Sequence, residues 1–476
     1  MDSRAEAFVP VADSRARTWG ERLGQDGLVL ASFAIFVGAL VLRLVGQVNA
    51  DGWLALVSGR WIAQHGIPHH DTLTIWGHGK PWVDQQWLAQ LGFYGLYLLG
   101  GLALVAVAHA VVTGGAYLSA LVAARRLGGS PRAVLFVLPA CFWLLIFGSW
   151  QARTQSFAYL PFVAVLYLLV ADSRRPSPRV YLVLPLLAVW ANLHGSVVLG
   201  SVLVVVRGVT RRSPPLIVLP PLALLASPYG LDLVDYYRKT LFNPAFGAMV
   251  NEWQAPTIGV TTLPFFALLV LIAWLVGRHR RVLNGFEQLA VLVTSIAGLT
   301  AQRSIVWFAL TALMLLPALL TAELGPEPGR PRPVLRLNAA LAAASLVILG
   351  ALLTTTLARP DSDFEHAYPA EAAAVAARSD GRVLANAKYA DWLLWRDPRL
   401  AGRIAYDARL ELLSRARILQ IYDFGLPFGG SWRATSRGYD VLVLDRGDDR
   451  YAIRGLLAEP ASRLAYEHAG LVVVTR

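Results

Sequence analysis

Long apolar runs alternate with short polar stretches along most of the 476-residue chain. Runs of about 17 residues or more have the length that an α-helix needs to cross the apolar part of a bilayer. Residues 27–358 are therefore predicted to contain about 11 transmembrane helices. Residues 1–26 are polar, and this stretch is too long for the start of a cleaved signal peptide. The first apolar run is predicted to stay in the protein as a helix.

The pattern changes from about residue 359. Helix-like stretches such as "YPAEAAAVAARS" and "RYAIRGLLAEP" alternate there with the strand-like "RVLANAK", "DVLVLDR" and "LVVVTR". Such alternation is typical of an α/β domain. The predicted fold class is an α-helical polytopic membrane protein with a C-terminal α/β domain over residues 359–476.

Composition supports a membrane protein. Charged residues make up 16% of the chain and hydrophobic residues 56%, whereas soluble proteins have about 25% charged residues. The mean hydropathy is +0.50. The single cysteine, Cys141, lies inside an apolar run, which excludes a disulfide framework and a zinc site built from thiolates.

The net charge of +12 is a topology signal. Basic residues cluster in five short loops: 125–132, 173–179, 207–215, 278–281 and 325–333. All five loops fall on one side of the membrane if residues 85–101 lie along the membrane surface instead of crossing it. The positive-inside rule places that side, and the N-terminus, in the cytoplasm. The first external loop (48–100) and the C-terminal domain are then outside, and nucleic acid is not a predicted partner.

Asp51 is the first candidate for chemistry, because it follows the first helix without an adjacent basic residue. Ionisable residues at a membrane edge are costly and usually functional. A structural alternative is that Asp51 caps the amphipathic helix predicted over residues 52–65, which should lie flat on the outer surface. The two roles are compatible.

Arg153 and Arg303 lie at predicted outer ends of helices, where the positive-inside rule does not explain them. A guanidinium group suits phosphate oxygens, although it can also reach lipid headgroups. His194, Glu252 and Asp84 are further candidate substrate-binding residues at the same predicted face.

His70 belongs to a histidine-rich stretch of the first external loop that suggests a metal site. Pro68 prevents a shared helical face with His65, so no metal site is predicted, and His70 is kept as a candidate substrate contact. The sequence contains no P-loop, no G-x-S-x-G and no H-E-x-x-H motif.

Several blocks of the sequence resemble a known class. The stretch "DGWLALVSGRWIAQHGIPHHDTLTIWGHGKPWVDQQWLAQ" is similar to the first external loop of bacterial GT-C membrane glycosyltransferases, which include protein mannosyltransferases and lipid A aminoarabinose transferases. "WQARTQSFAYLPF", "VWANLHGSVVLG", "LASPYGLDL", "NEWQAPT", "AQRSIVWFAL", "YADWLLW" and "YDARLEL" resemble recurring blocks of an uncharacterised branch of that class.

The resemblance implies a multi-pass protein of the bacterial plasma membrane that uses a sugar carried on polyprenyl phosphate. It implies Asp51 as general base, transfer with inversion to an acceptor hydroxyl on the outer face, and arginines that hold the departing phosphate. The acceptor could be a glycan, a lipid or a protein. Many relatives have a second acidic residue directly after the first, whereas this chain has Gly52. No cofactor is expected, and the need for a divalent metal stays open.

Two other classes of protein, a transporter and a membrane scaffold, are alternatives to a glycosyltransferase. A transporter or flippase of a lipid-linked sugar would also need outer arginines, but it should show paired helix breaks and polar groups in mid-span. Only His109 stands out in that position. A membrane scaffold that binds a partner through its α/β domain would leave the outer polar residues unexplained.

Overall fold

The computed structural model describes residues 19–46, 48–241, 250–326, 331–426 and 431–476. Helices dominate the part before residue 358: α1 (Trp19–Leu44), α2 (Ala50–His65), α3 (Trp87–Arg126), α4 (Pro131–Ser149), α5 (Ser156–Arg174), α6 (Val183–Ala191), α7 (Val197–Arg211), α8 (Pro214–Leu224), α9 (Asp232–Leu241), α10 (Leu263–Arg278), α11 (Gly285–Thr300), α12 (Ile305–Leu324) and α13 (Arg332–Leu357).

Six described segments are long and apolar enough to cross a membrane: Gly24–Leu44, Trp87–Arg126, Pro131–Ser149, Ser156–Arg174, Gln302–Leu324 and Arg332–Leu357. Four shorter apolar helices lie between the fourth and fifth of these: Pro178–Ala191, Pro214–Leu224, Leu263–Arg278 and Gly285–Thr300. The prediction of a mainly helical, multi-span protein is confirmed at this level. The number of about 11 spans stays a prediction.

Helix α3 is 40 residues long and is interrupted at Gly100 and Gly101. Gly101 has φ +65°, and a Cβ atom there would lie 2.5 Å from Asp361 Oδ1. Asp361 in turn accepts a hydrogen bond from the amide of Leu102 (2.8 Å), so it caps the second half of the helix. The kink separates the segment over residues 85–101 from the apolar half of α3.

Helix α2 begins one residue before Asp51, and the N-cap is Asn49, whose side chain accepts a hydrogen bond from the amide of Gly52 (3.2 Å). The prediction that Asp51 caps this helix is therefore wrong. Asp51 already belongs to the first turn, and an N-cap side chain must come from the residue before the helical backbone starts.

The apolar face of α2 is covered by other parts of the protein. The helix packs against α3 and against α15 (Ala387–Arg396) of the C-terminal part. Trp53 and Leu56 are buried, and a Cβ atom at Gly59 would overlap the carbonyl oxygen of Gln90. The apolar stripe of α2 is covered by protein, because the C-terminal part lies over it.

The C-terminal part contains a four-stranded sheet in the order β1-β2-β4-β3: β1 (Val383–Ala385), β2 (Val441–Asp445), β3 (Arg463–His468) and β4 (Leu471–Thr475). β1 and β2 are parallel, with Val383 opposite Val441, and β4 runs antiparallel to both of its neighbours. The helices are α14 (Ala370–Arg378), α15, α16 (Arg415–Phe424), α17 (Ser431–Ser436) and α18 (Arg450–Leu457). Every residue of β1 and β2 is buried. This burial explains why the two strands have nearly continuous apolar sequences.

A buried ion-pair network joins the segment after α2 to the C-terminal part. Arg409 Nη2 lies 2.7 Å from Asp71 Oδ1 and 2.5 Å from Asp407 Oδ2. Its guanidinium also stacks on Trp82, 4.2 Å from the ring centre. The residues that follow α2 and the C-terminal part are thus joined by buried charged and aromatic contacts.

Candidate active site

Four charged residues from distant parts of the sequence form an alternating chain. Arg153 Nε lies 2.9 Å from Asp51 Oδ2, and Arg153 Nη1 lies 2.6 Å from Glu252 Oε2. Arg303 Nη1 lies 3.5 Å from the other oxygen of Glu252. The order Asp51, Arg153, Glu252, Arg303 places two anions and two cations side by side.

Each of these residues stands at the end of a helix or in a short turn. Asp51 is in the first turn of α2, and Arg153 lies between α4 and α5. The carbonyl of Arg153 accepts hydrogen bonds from the amide (3.1 Å) and hydroxyl (2.8 Å) of Ser156, which fix the turn. The short 3₁₀ helices Asn251–Trp253 and Gln302–Ser304 carry Glu252 and Arg303.

The segments around Glu252 and Arg303 are also tied to each other. The amide of Gln302 donates a hydrogen bond to the carbonyl of Gln254 (2.9 Å). The guanidinium of Arg303 lies over the ring of Trp253, 4.6 Å from its centre. A guanidinium that stacks on an aromatic ring keeps N–H donors at its edge for an anionic ligand.

A cavity of about 260 Å³ opens at this cluster. Its polar wall contains Arg153, Gln155, Asn251, Glu252, Gln302 and Arg303. Its apolar wall comes from two membrane-length helices, with Leu144 and Phe147 of α4 and Ile305 and Val306 of α12. The side chains of Arg153 and Arg303 are 25% and 24% exposed, so a ligand in the cavity can reach both.

Burial by itself would raise the pKa of Glu252, but Arg303 and Arg153 outweigh it and hold that pKa below its ordinary value. Burial would likewise lower the pKa of Arg153, and the carboxylates of Asp51 and Glu252 raise it instead. Glu252 and Arg153 are therefore both charged at neutral pH.

His194 lies between α6 and α7 and is 8% exposed. Burial, followed by Arg303 and Arg153, lowers its pKa to about 3, so the ring is neutral at physiological pH. The amide of Ser196 donates to His194 Nδ1 (3.1 Å). Because an amide can only donate, Nδ1 is the acceptor and Nε2 carries the proton. His194 is thus a neutral hydrogen-bond donor beside the two arginines.

The structure brings together Asp51, Arg153, Glu252, Arg303 and His194, all of which were predicted from the sequence. Asp84 is 3% exposed, and the charged group that most lowers its pKa is Arg409. His70 is exposed and forms an isolated bridge with Pro81. No contact of either residue with the charged cluster is observed in the described ranges.

Other residues of the cavity were not predicted. Trp253 supports Arg303, and Gln155, Asn251 and Gln302 supply neutral polar groups. Each of them lies within two positions of a predicted charged residue, so a polar or aromatic neighbour at a helix end is the sequence signal that could have identified them.

Among the described residues, no group of three or more His, Cys, Asp or Glu side chains is arranged to hold a metal ion.

No protein-family model and no curated protein matches the sequence. Solved structures do match. ArnT from Cupriavidus metallidurans in the apo state has a TM-score of 0.54 at 14% identity, over 94% of this chain and 97% of ArnT. The same protein bound to undecaprenyl phosphate has a TM-score of 0.51, with the same identity and coverage.

A further match is the oligosaccharyltransferase of Archaeoglobus fulgidus tethered to an acceptor peptide. Its TM-score is 0.50 at 11% identity, over 90% of this chain and 72% of that protein. Both matched proteins are GT-C glycosyltransferases. The resemblance of this chain to the GT-C class is therefore confirmed at the level of its fold.

Proposed function

We propose that this protein transfers a sugar from a polyprenyl-phosphate donor to a hydroxyl group of an acceptor, on the outer face of the bacterial plasma membrane. The observation that carries the proposal is the mixed cavity at the charged cluster. Its polar wall holds Arg153 and Arg303, and its apolar wall consists of membrane-length helices. A ligand with a phosphate at one end and a lipid at the other fits both walls.

Arg303 is the first phosphate ligand in this proposal. Its contact with Glu252 is 3.5 Å, whereas Arg153 is held by that carboxylate at 2.6 Å. Arg303 can therefore turn toward a phosphate oxygen at lower cost. His194 Nε2–H adds a neutral donor near the same oxygens, and Arg153 adds charge as the phosphate departs.

Asp51 is the proposed general base. The acceptor hydroxyl attacks the anomeric carbon and gives its proton to the Asp51 carboxylate, while the bond between that carbon and the phosphate oxygen breaks. Attack from the side opposite to the phosphate inverts the anomeric centre. A general base contributes roughly 10²–10⁴-fold in rate, and stabilisation of the leaving phosphate by the arginines supplies the rest. Asp84 and His70 have no step in this reaction.

The matched structures support the donor class. ArnT was solved with undecaprenyl phosphate, and its fold extends over 94% of this chain. The oligosaccharyltransferase was solved with an acceptor peptide, and the acceptor of this chain can equally be a glycan, a lipid or a protein. The proposed topology has the N-terminus in the cytoplasm and residues 359–476 outside, as the positive-inside rule indicates.

The test is transfer of a radiolabelled sugar from polyprenyl phosphate to acceptors in a membrane extract, catalysed by purified protein. Asp51→Asn should reduce the rate by roughly 10²–10⁴-fold. Asp26→Asn is the matched control, because Asp26 also pairs with an arginine and its side chain is 41% exposed, against 42% for Asp51. Full activity of Asp51→Asn would rule out its role as base.

A further inference from the structure

Arg153 occupies the space between two carboxylates. Its Nε lies 2.9 Å from Asp51 Oδ2, and its Nη1 lies 2.6 Å from Glu252 Oε2. The two acids come from the first turn of α2 and from the 3₁₀ helix Asn251–Trp253, and Arg153 contacts both. One guanidinium therefore forms an ion pair with the proposed base and a hydrogen-bonded ion pair with the acid that faces Arg303.

A divalent cation bound to both acids would need the same space. Mg²⁺ sits about 2.0–2.1 Å from carboxylate oxygens and keeps a near-octahedral shell of ligands. The guanidinium nitrogens fill the positions next to Asp51 Oδ2 and Glu252 Oε2. An ion there would also face the charge of Arg153 at close range, which opposes its binding.

The local charge is already balanced. Asp51 and Glu252 contribute two negative charges, and Arg153 and Arg303 contribute two positive charges. The carboxylates raise the pKa of Arg153 above its ordinary value, so this cation keeps its charge. No third His, Cys, Asp or Glu that would complete a metal site joins these acids in the described part of the chain.

Hydrogen bonds brace the turn that carries Arg153. The carbonyl of Arg153 accepts two hydrogen bonds from Ser156. Thr154 Oγ1 and Gln86 Oε1 are in close contact, which ties the next residue to the start of α3. A fixed turn can present a cation at a constant position, as a bound ion would.

We propose that Arg153 is a built-in cation that positions Asp51 and Glu252 at the donor phosphate in place of a divalent metal. Sugar transfer by this protein is then independent of divalent ions. This inference rests on the proposed glycosyltransferase function. It makes Arg153 a positioning residue for the base as well as a contact for the phosphate.

The first test measures transfer by the purified wild-type protein after treatment with EDTA. The expected result is an unchanged rate, and added Mg²⁺ or Mn²⁺ should not increase it. A rate that is lost in EDTA and restored by either ion would overturn the role of Arg153 and leave the glycosyltransferase function standing. Absence of transfer under every condition would count against the proposed function instead.

The second test does not depend on activity and measures Mn²⁺ binding by electron paramagnetic resonance. Wild-type protein should bind no more Mn²⁺ than Asp51→Asn, and Arg153→Ala should bind more than either because two carboxylates lose their cation. Arg125→Ala is the control, since Arg125 also pairs with an aspartate and is 27% exposed, against 25% for Arg153. Stoichiometric Mn²⁺ on the wild type that disappears in Asp51→Asn would contradict the proposal.

Discussion

Asp84 is almost fully buried, and its Oδ2 atom has no hydrogen-bond partner in the described structure. Burial, only partly offset by Arg409, raises the pKa of Asp84 from 3.8 to about 7. Since this folded-state pKa lies above the unfolded one, the neutral acid is favoured in the folded protein. The resulting stability is fully present below about pH 3.8 and is lost as the pH rises through about 7.

Replacing Asp84 with asparagine removes this titration while keeping a similar shape. At pH 8 we expect the Tm of Asp84→Asn to be higher than that of the wild type. At pH 5 the increase in Tm should be smaller, or the Tm should fall below that of the wild type. Thermal unfolding of detergent-solubilised protein at the two pH values measures the difference. The same change in Tm at both values would show that the carboxyl group of Asp84 is not protonated in the folded protein near neutral pH.

At the scale of single residues, the sequence indicated Asp51, Arg153, Glu252 and Arg303 one by one. Each is an ionisable group that the charge pattern of the loops does not explain. The sequence did not reveal that Arg153 contacts both acids, because ion pairs between such distant positions depend on how the helices pack. It therefore predicted Arg153 only as a phosphate ligand or as a contact for lipid headgroups.

At the scale of elements, the long apolar helices could be predicted because length and hydrophobicity are local properties of the sequence. The break in α3 fits the pair Gly100–Gly101, where φ +65° at Gly101 requires a glycine. Strand β3 was not predicted, because most of its residues are exposed and its register shifts between Leu464 and Tyr466. It forms by pairing with the buried strand β4.

The environment of α2 shows where local patterns stop being sufficient. Its apolar face predicted a helix on the membrane surface, and the structure shows that α3 and α15 cover this face. Arg60 donates hydrogen bonds to the carbonyls of Trp395 (2.9 Å) and Leu394 (2.7 Å) and stacks on the Trp395 ring. An amphipathic pattern predicts that one face is buried but does not tell whether lipid or protein covers it.

At the scale of the whole molecule, the buried pairs of Arg409 join the segment after α2 to the C-terminal part. Arg409→Ala leaves Asp71 and Asp407 buried without their cation. We expect a loss of roughly 3–5 kcal/mol in the free energy of unfolding. Activity should also fall, because α2, which carries Asp51, packs against α15 of the same C-terminal part. Thermal or denaturant unfolding measures the loss.

Arg399→Ala is the matched control for that variant. Arg399 pairs with Asp397, two residues before it, just as Arg409 pairs with Asp407, but the side chain of Arg399 is 79% exposed. Water replaces an exposed ion pair at little cost, so the stability of Arg399→Ala should remain close to that of the wild type. Equal destabilisation by both substitutions would show that burial of the Arg409 network does not stabilise the junction.

The most direct test of the central claim follows the fate of the donor in proteoliposomes. The proteoliposomes contain the wild-type protein, a polyprenyl-phosphate sugar that is labelled in the sugar, and a membrane extract that supplies acceptors. Glycosyl transfer predicts that the label leaves the lipid for an acceptor while free polyprenyl phosphate accumulates in equal amount. An intact donor that only moves from one leaflet to the other would contradict this account and indicate a flippase.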